Sequence, residues 1–199
     1  LKDFLNTFPA DYLRYYLAAI TPYSQADLNF SWEDFQKKIN NELIANIGNF
    51  IHRTLTFVWS NYEGKVPKPR EYDDLDRELE EKIKKVADEV GKEIERNELG
   101  RGLRKIIEFS TFCNQYFQRK QPWTDKERAK TYLYLSVNAV RTLAILLEPY
   151  IPFSAESLWQ QLDLDSSVHK QNWNSASELG IHSGHRIKQP KVLFKKVQD

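Results

Sequence analysis

The stretch Gln-Arg-Lys-Gln-Pro-Trp (118–123) lies between two long helical patterns and decides the fold. Proline lacks the backbone N–H that an interior helical position needs, and it restricts the residue before it, so the helix that precedes Pro122 must end there. Apolar residues recur at helical spacing over about 99–121, and Thr124 and Glu127 then have the spacing of a capping box. Two long helices joined by so short a connection pack antiparallel, which predicts a helix bundle.

The rest of the chain carries the same helical periodicity. The sequence has only 7 glycines and 8 prolines, and they lie between the periodic segments, which favours long helices over short strands. We therefore predict an all-α fold, an antiparallel bundle of four long helices with an extended C-terminal tail that is irregular or forms a short strand pair. The expected helices cover 9–20, about 31–62 with Ser31 as N-cap, about 74–97, about 99–121, 124–147 and 154–162 with Ser154 as N-cap.

Composition and charge limit the classes of function. The 199 residues are 41% hydrophobic and 13% aromatic, enough for a core, and 29 basic against 28 acidic side chains give a net charge of +1. A non-specific nucleic-acid binder is far more basic, so any nucleic-acid contact must be local and specific. The single cysteine, Cys113, excludes an intrachain disulfide and is expected to be a buried side chain. No segment resembles a signal peptide or a membrane span, and we expect a cytoplasmic protein.

Trp123 is the first candidate for a binding role. The Pro-Trp pair holds its indole at a junction between helices, next to Arg119 and Lys120 in sequence. An aromatic face beside fixed cations is suited to stacking on an unpaired nucleic-acid base. Burial statistics for a lone tryptophan favour a core side chain instead, so both interpretations stay open at this point.

A second motif, Ala-Asn-Ile-Gly-Asn-Phe-Ile-His-Arg (45–53), places Asn46, Asn49 and Arg53 on one helix face. An amide and a guanidinium together offer donors and an acceptor that can recognise the edge of a base. Gly48 lets another helix or a ligand approach closely, although it lowers helix propensity by roughly 1 kcal/mol relative to alanine. The alternative is a polar seam between helices, in which Asn49 and Arg53 satisfy buried carbonyls.

Other chemistry-bearing patterns are weak. His182 and His185 have no cysteine or carboxylate at zinc-site spacing, so we predict no metal site. The sequence offers no nucleophile paired with a base, no phosphate-binding glycine loop and no paired carboxylates in a recognisable context. We therefore predict no catalytic residue in this stretch.

Five segments, in order, resemble the C-terminal helical part of the methionyl-tRNA synthetase family. They are Leu-Asn-Thr-Phe-Pro-Ala-Asp-Tyr-Leu-Arg-Tyr-Tyr-Leu (5–17), Asn-x-Glu-Leu-x-Ala-Asn-x-Gly-Asn-Phe-x-x-Arg (40–53), Pro-Trp (122–123), Leu-Glu-Pro-Tyr-Ile-Pro (147–152) and Gly-His-Arg-Ile-x-x-Pro-x-x-Leu-Phe (184–194). The resemblance covers nearly the whole chain and is to the archaeal and eukaryotic type. Class I synthetases for leucine, isoleucine and valine share the first segment and the bundle, so the asparagine–arginine helix and the Pro-Trp junction are the specific part.

The resemblance implies a site for the first anticodon base, the cytosine of CAU. It implies that Trp123 stacks on the extruded base while Asn49 and Arg53 contact its edge. Supporting RNA contacts are expected at Asn46, Gln118, Arg119, Lys120 and Pro122. Some bacterial members of the family carry an acid at the position of Gln118.

The resemblance also implies that the chain has three parts and that it comes from a larger protein. Residues 1–28 are a connector with one helix, 29–162 the anticodon-binding bundle, and 163–199 a tail that packs on the bundle or on a catalytic domain. That catalytic domain would precede Leu1, and the chain, which has no methionine, is expected to be an inactive piece of the ligase. No cofactor is expected here; ATP with magnesium, and zinc, belong to the catalytic part. The expected partners are the anticodon stem-loop of methionine tRNA and the catalytic domain, with no membrane and no DNA.

Two alternatives remain from the sequence. The chain could be the equivalent domain of another class I synthetase, of the leucine, isoleucine or valine type, which the identity of the bound tRNA would distinguish. It could also be a non-catalytic helical protein-interaction module with Trp123 in its core, which the exposure of Trp123 would distinguish.

Overall fold

The computed structural model describes residues 2–21 and 28–198, so residues 1 and 22–27 of the predicted connector and residue 199 of the predicted tail lie outside the described part. Helices make up nearly all of the regular structure in these ranges. In chain order they are α1 (Lys2–Thr7), α2 (Ala10–Ile20), α3 (Trp32–Lys37), a π-helix (Lys38–Gly48), α4 (Asn49–Tyr62), α5 (Asp74–Glu95), α6 (Leu99–Lys120), α7 (Lys126–Leu147), α8 (Pro152–Gln161) and two 3₁₀ turns (Val168–Lys170 and Trp173–Ser177). The prediction of an all-α fold is confirmed.

The helix predicted over 31–62 is continuous but changes its winding. It begins as predicted, with the Ser31 hydroxyl accepting the N–H of Asp34 at 3.2 Å. Its middle is π-helical, and at the junction with α4 the N–H of Asn49 bonds to the carbonyls of Ile44 and Asn46. The helical periodicity of the sequence did not predict the π-helical winding of this segment. Long π-helical stretches are rare and are frequently found at functional sites, and this one ends one residue before Asn49 of the predicted base site.

The connection between α6 and α7 is a closed turn. Gln121 adopts a left-handed conformation at φ 44°, and the N–H of Thr124 bonds to its carbonyl at 2.9 Å, with Pro122 at the second turn position that proline favours. The predicted capping box at Thr124 is wrong by one residue. The N-cap is Asp125, whose carboxylate accepts the N–H of Glu127 at 2.9 Å, while the Thr124 hydroxyl donates to Gln121 and closes the turn.

The start of α8 also differs from the prediction. Ser154 is not the N-cap: the helix begins at Pro152, a residue suited to the first helical position. The N–H of Ser154 donates to the Asp11 carboxylate of α2 at 2.6 Å. A side chain distant in sequence therefore caps this helix, and a local sequence pattern cannot show such a partner.

Polar side chains of the bundle anchor the tail at several points. The buried Asn138 amide on α7 exchanges two hydrogen bonds with the backbone of Ile181, at 3.1 and 2.9 Å. Asn40 exchanges a similar pair with Val197, both at 2.9 Å. Within the described residues the tail forms no strand pair, only a single antiparallel bridge between Arg186 and Lys65. The tail thus covers the bundle as irregular, hydrogen-bonded chain.

The hydrophobic core runs through the bundle and extends under the tail. Helix α7 is buried on nearly all sides, and Cys113 on α6 is fully buried, as predicted. The close approach predicted at Gly48 is made by the tail, since a Cβ there would lie 3.0 Å from the Phe194 ring. In the described ranges no helix is long and apolar enough to cross a membrane.

Candidate nucleic-acid interface

Trp123 lies at the surface rather than in the core. Its side chain is 49% exposed, and its ring centroid lies 6.4 Å from that of Phe117 at an interplanar angle of 41°. Pro122 before it is buried and anchors the turn. The indole therefore has support from the protein on one side and solvent on the other. This exposure contradicts the interpretation of a core tryptophan.

Arg53 on α4 shares the surface that carries Trp123. Its guanidinium carbon lies 4.7 Å from the centroid of the Phe117 ring, within the range of a cation–π contact. One guanidinium nitrogen also donates to the Gln118 side chain at 3.5 Å. Phe117 thus contacts both Arg53 and Trp123. The structure therefore places Arg53 and Trp123 on the same side of the bundle, although they lie 70 positions apart in the sequence.

Asn49 and Asn46 play different structural parts. Asn49 is exposed, and its amide nitrogen donates to the Asn114 side chain at 3.3 Å; within the described residues its amide oxygen accepts no hydrogen bond. Asn46 faces α6, where it donates to Thr111 at 2.8 Å and accepts from Ser110 and Asn114, both at 3.0 Å. The polar-seam interpretation therefore fits Asn46, whereas Asn49 and Arg53 remain accessible.

Sequence reasoning missed Asn114. Its amide donates to the backbone carbonyl and the side-chain oxygen of Asn46, both at 3.0 Å, and its oxygen accepts from Asn49. Ser110, Asn114 and Gln118 follow one another at four-residue spacing on α6, so they form one polar stripe. That stripe was the signal in the sequence that a partner helix with matching polar groups packs beside it.

Lys120 does not reach the surface, so the prediction that it contacts RNA is wrong. Its side chain is 5% exposed, and its ammonium pairs with Asp76 at 2.8 Å and with Asp73. It also lies 4.5 Å from the centroid of the Tyr132 ring. Burial alone would raise the pKa of the Asp73 carboxyl, but hydrogen bonds from Lys120 and from the backbone of Asp76 lower it below its usual range. Arg119, by contrast, is exposed.

The inward position of Lys120 follows from its helical phase. Cys113, Tyr116 and Phe117 are the buried stripe of α6, and Lys120 continues that stripe one turn further. Burial and the neighbouring Asp76 raise the pKa of Tyr116 well above its usual value, so its hydroxyl stays protonated and donates to Asp76 at 2.8 Å. This buried network fixes the end of α6, three residues before Trp123.

His182 and His185 of the tail have different surroundings. The Nε2 atom of His185 lies 2.6 Å from the carbonyl of Leu162, and His182 is exposed. The described part of the chain contains no group of three or more histidine, cysteine, aspartate or glutamate side chains that could hold a metal ion.

Comparison with known protein families shows which family this chain belongs to. Residues 76–197 match the family described as the anticodon-binding domain of tRNA ligases, and residues 1–55 match the class I tRNA synthetases of the methionine (M) type. The chain belongs to the anticodon-binding domain family of tRNA ligases.

Individual relatives are methionine enzymes. The methionine–tRNA ligase of Pyrococcus abyssi is 43% identical over 203 residues, which cover 100% of this chain and 27% of that protein. The enzyme of Thermococcus onnurineus is 42% identical with the same coverage. The chain thus spans about a quarter of the length of these relatives.

A solved structure agrees with these relatives. Methionyl-tRNA synthetase from Mycobacterium tuberculosis, in its free state, has a TM-score of 0.86 and 27% identity, covering 99% of this chain and 40% of that one. The resemblance to methionyl-tRNA synthetase is confirmed, and the similarity favours the methionine enzyme over the leucine, isoleucine or valine type.

Proposed function

We propose that the chain recognises the CAU anticodon of methionine tRNA as the anticodon-binding part of a methionine–tRNA ligase. One observation carries the proposal: a half-exposed indole, Trp123, and a partly exposed guanidinium, Arg53, both contact the ring of Phe117. An aromatic face next to oriented hydrogen-bonding groups is the arrangement that holds an unstacked base. A tryptophan in the core or an arginine in solvent would not need this arrangement.

The polar groups match the edge of a cytosine. Cytosine presents an exocyclic amino donor and, beside it, the N3 and O2 acceptors. The amide oxygen of Asn49 can accept from the amino group, and the guanidinium of Arg53 can donate to the acceptors. A uracil in the same place would set its carbonyl against the Asn49 oxygen. In this proposal stacking on Trp123 supplies affinity for any base, and the two polar side chains supply the preference for cytosine.

Neighbouring residues hold these groups in place before RNA arrives. Gln118 and the Phe117 ring orient Arg53, and the amide of Asn114 orients Asn49. Side chains that are already ordered lose less conformational entropy on binding. We therefore propose that Gln118 acts by orienting Arg53, and that Asn46 supports the site through Asn114 rather than by touching RNA.

Two further expected contacts receive different roles. Pro122 is buried and shapes the turn that presents Trp123, so its contribution is to backbone conformation. Arg119 is exposed near the same turn and is suited to an RNA phosphate, a contact that positions RNA without reporting its sequence.

The ligase reaction is assigned to a catalytic domain outside this sequence. A structure of the M. tuberculosis enzyme is bound by methionyl-adenylate, and on that basis we propose that the parent protein uses ATP, with magnesium, to activate methionine. Zinc in the catalytic part, the cytoplasmic location and the division at residues 28 and 162 stay predictions. The domain would act by binding the anticodon so that the acceptor end of the tRNA reaches the catalytic site.

A titration with anticodon stem-loops tests the proposal. In the full-length protein, a CAU stem-loop should bind about 5- to 150-fold more tightly than one with uracil first, because lost base-edge contacts are worth about 1–3 kcal/mol. Trp123→Ala should weaken the binding of both stem-loops. Equal affinity of the wild-type protein for the two stem-loops would contradict the proposal.

A further inference from the structure

The loop after α4 is held rigidly. In Glu-Gly-Lys-Val-Pro-Lys-Pro-Arg (63–70), the N–H of Val66 donates to the His185 carbonyl at 2.8 Å, and its carbonyl accepts from Gly184 at 2.7 Å. At the other end the N–H of Arg70 donates to the Thr131 hydroxyl of α7 at 2.8 Å. Val66 and the proline after it are buried. The loop therefore has a fixed conformation, anchored to the tail on one side and to α7 on the other.

This loop forms one wall of a positively charged groove. A cavity of about 820 Å³ is lined by four cationic side chains, Lys65, Lys68, Arg70 and Lys130, and by one carboxylate, that of Glu63. We call it the basic groove. This local excess of positive charge is large for a chain whose net charge is +1.

Two of the four cations are available for a ligand. Arg70 and Lys130 both pair with Glu127, just outside the groove. Lys65 and Lys68 are exposed and form no ion pair within the described part of the chain. The groove therefore presents unneutralised positive charge on a fixed backbone, as an anion-binding surface requires.

The basic groove lies further along α4 than the base site. Arg53, Phe57 and Asn61 follow one another at four-residue spacing on α4, and Asn61 lines the groove. Eight residues from Arg53 to Asn61 correspond to about 12 Å along the helix.

A second contact links the groove to the Trp123 junction. The Tyr62 hydroxyl, also at the groove, donates to the Lys126 carbonyl at 2.7 Å, and Lys126 starts α7 three residues after Trp123. The groove and the base site are thus neighbours along one side of the bundle.

We infer that the basic groove binds the phosphodiester backbone of the RNA whose extruded base is bound at Trp123. The inference rests on the proposed function. About 12 Å along α4 is a length that a few nucleotides of RNA backbone can cover, so the stem beside the anticodon loop can reach Lys65 and Lys68. Contacts of this kind supply affinity and register but carry no sequence information.

The test uses Lys65→Ala/Lys68→Ala in the full-length protein, with stem-loops that carry CAU or a changed first base, titrated at several salt concentrations. Both affinities should fall by about the same factor, roughly tenfold for two cations, and the ratio between them should not change. The slope of log affinity against log salt should decrease in magnitude by about 1.4–1.8, the value for two lost phosphate contacts.

Two further variants sharpen the test. Lys84→Ala/Lys85→Ala removes two exposed lysines of α5 that pair with glutamates of their own helix, and it should leave affinity and slope unchanged. Glu63→Gln removes the carboxylate of the groove and should strengthen binding of both stem-loops. Removing positive charge and removing negative charge from the same groove should change the affinity in opposite directions. A general loss of the fold would weaken binding in both cases.

The outcomes distinguish this inference from the proposed function. If Lys65→Ala/Lys68→Ala leaves affinity and salt slope unchanged while Trp123→Ala still weakens binding, the groove does not contact RNA and the base site stands. A change in first-base discrimination without a change in slope would also overturn the inference. If Trp123→Ala has no effect either, the proposed function itself fails.

Discussion

Replacing Lys120 with methionine tests whether its ammonium is buried and paired with Asp76 rather than free to contact RNA. Methionine keeps most of the aliphatic stem and its packing against Tyr132, and it removes the charge. Lys120 is 5% exposed and its partner Asp76 2% exposed, so the substitution leaves an almost fully buried carboxylate without its cation. Breaking a buried ion pair from one side is strongly destabilising, typically by about 3–5 kcal/mol.

Asp76 keeps other hydrogen-bond partners, so we expect a loss of stability at the lower end of this range. Asp76 keeps hydrogen bonds from the Tyr116 hydroxyl at 2.8 Å and from the Asp73 N–H at 2.9 Å, and the Asp73 carboxylate is 61% exposed and returns to water. We expect Lys120→Met to lower the free energy of unfolding by about 3 kcal/mol. In a protein of this size that corresponds to a decrease in Tm of about 6–12 °C.

Paired urea and thermal melts measure the effect. Lys120→Met/Asp76→Asn, which removes both charges, should recover most of the stability, because no unpaired charge is left buried. Arg119→Met, at the exposed neighbouring position, should change stability by less than about 0.5 kcal/mol. A loss below about 1 kcal/mol for Lys120→Met would refute the buried network and would restore Lys120 as a candidate phosphate contact.

The remaining predictions concern single features of the same region. Trp123→Ala should lower stability by about 1 kcal/mol or less in denaturant melts, against about 3–5 for a core tryptophan, because half of the indole is exposed. Since the native pKa of Asp73 is lowered, its contribution to stability is present above about pH 4 and is lost as the pH falls; Asp73→Asn should therefore flatten the acid side of a stability–pH profile. Asp125→Ala should cost about 1 kcal/mol as the loss of an N-cap, and more than Thr124→Ala; the reverse order would contradict the assigned cap.

The helices were predictable because their buried faces repeat in the sequence. Residues such as Ile39, Leu43 and Ile47 recur at helical intervals, and each repeat adds to the same signal. The caps were less predictable. Thr124 and Ser154 both match cap preferences, but Thr124 closes a turn and the N–H of Ser154 is bound by Asp11, a partner 143 residues away. Local patterns cannot rank such competing partners.

The candidate site was only partly predictable, for a related reason. A lone tryptophan has no periodicity, so the sequence could not decide whether Trp123 is buried, and the family resemblance supplied its position. The helical phase of Lys120 did indicate burial, yet its partners Asp73 and Asp76 lie more than forty residues earlier and no local rule connects them. The seam at Asn46 and Asn114 was likewise visible only once the two helices were paired.

First-base discrimination in aminoacylation tests the central claim most directly. In the full-length ligase, the ratio of kcat/KM for methionine tRNA with CAU to that with a changed first base should fall about 5- to 150-fold for Arg53→Ala and for Asn49→Ala, since base-edge contacts carry sequence information. Arg119→Ala should lower kcat/KM for both tRNAs by the same factor, because a phosphate contact does not distinguish bases. An unchanged ratio in both Arg53→Ala and Asn49→Ala would contradict the assignment of these residues to the anticodon, even though the chain belongs to the family.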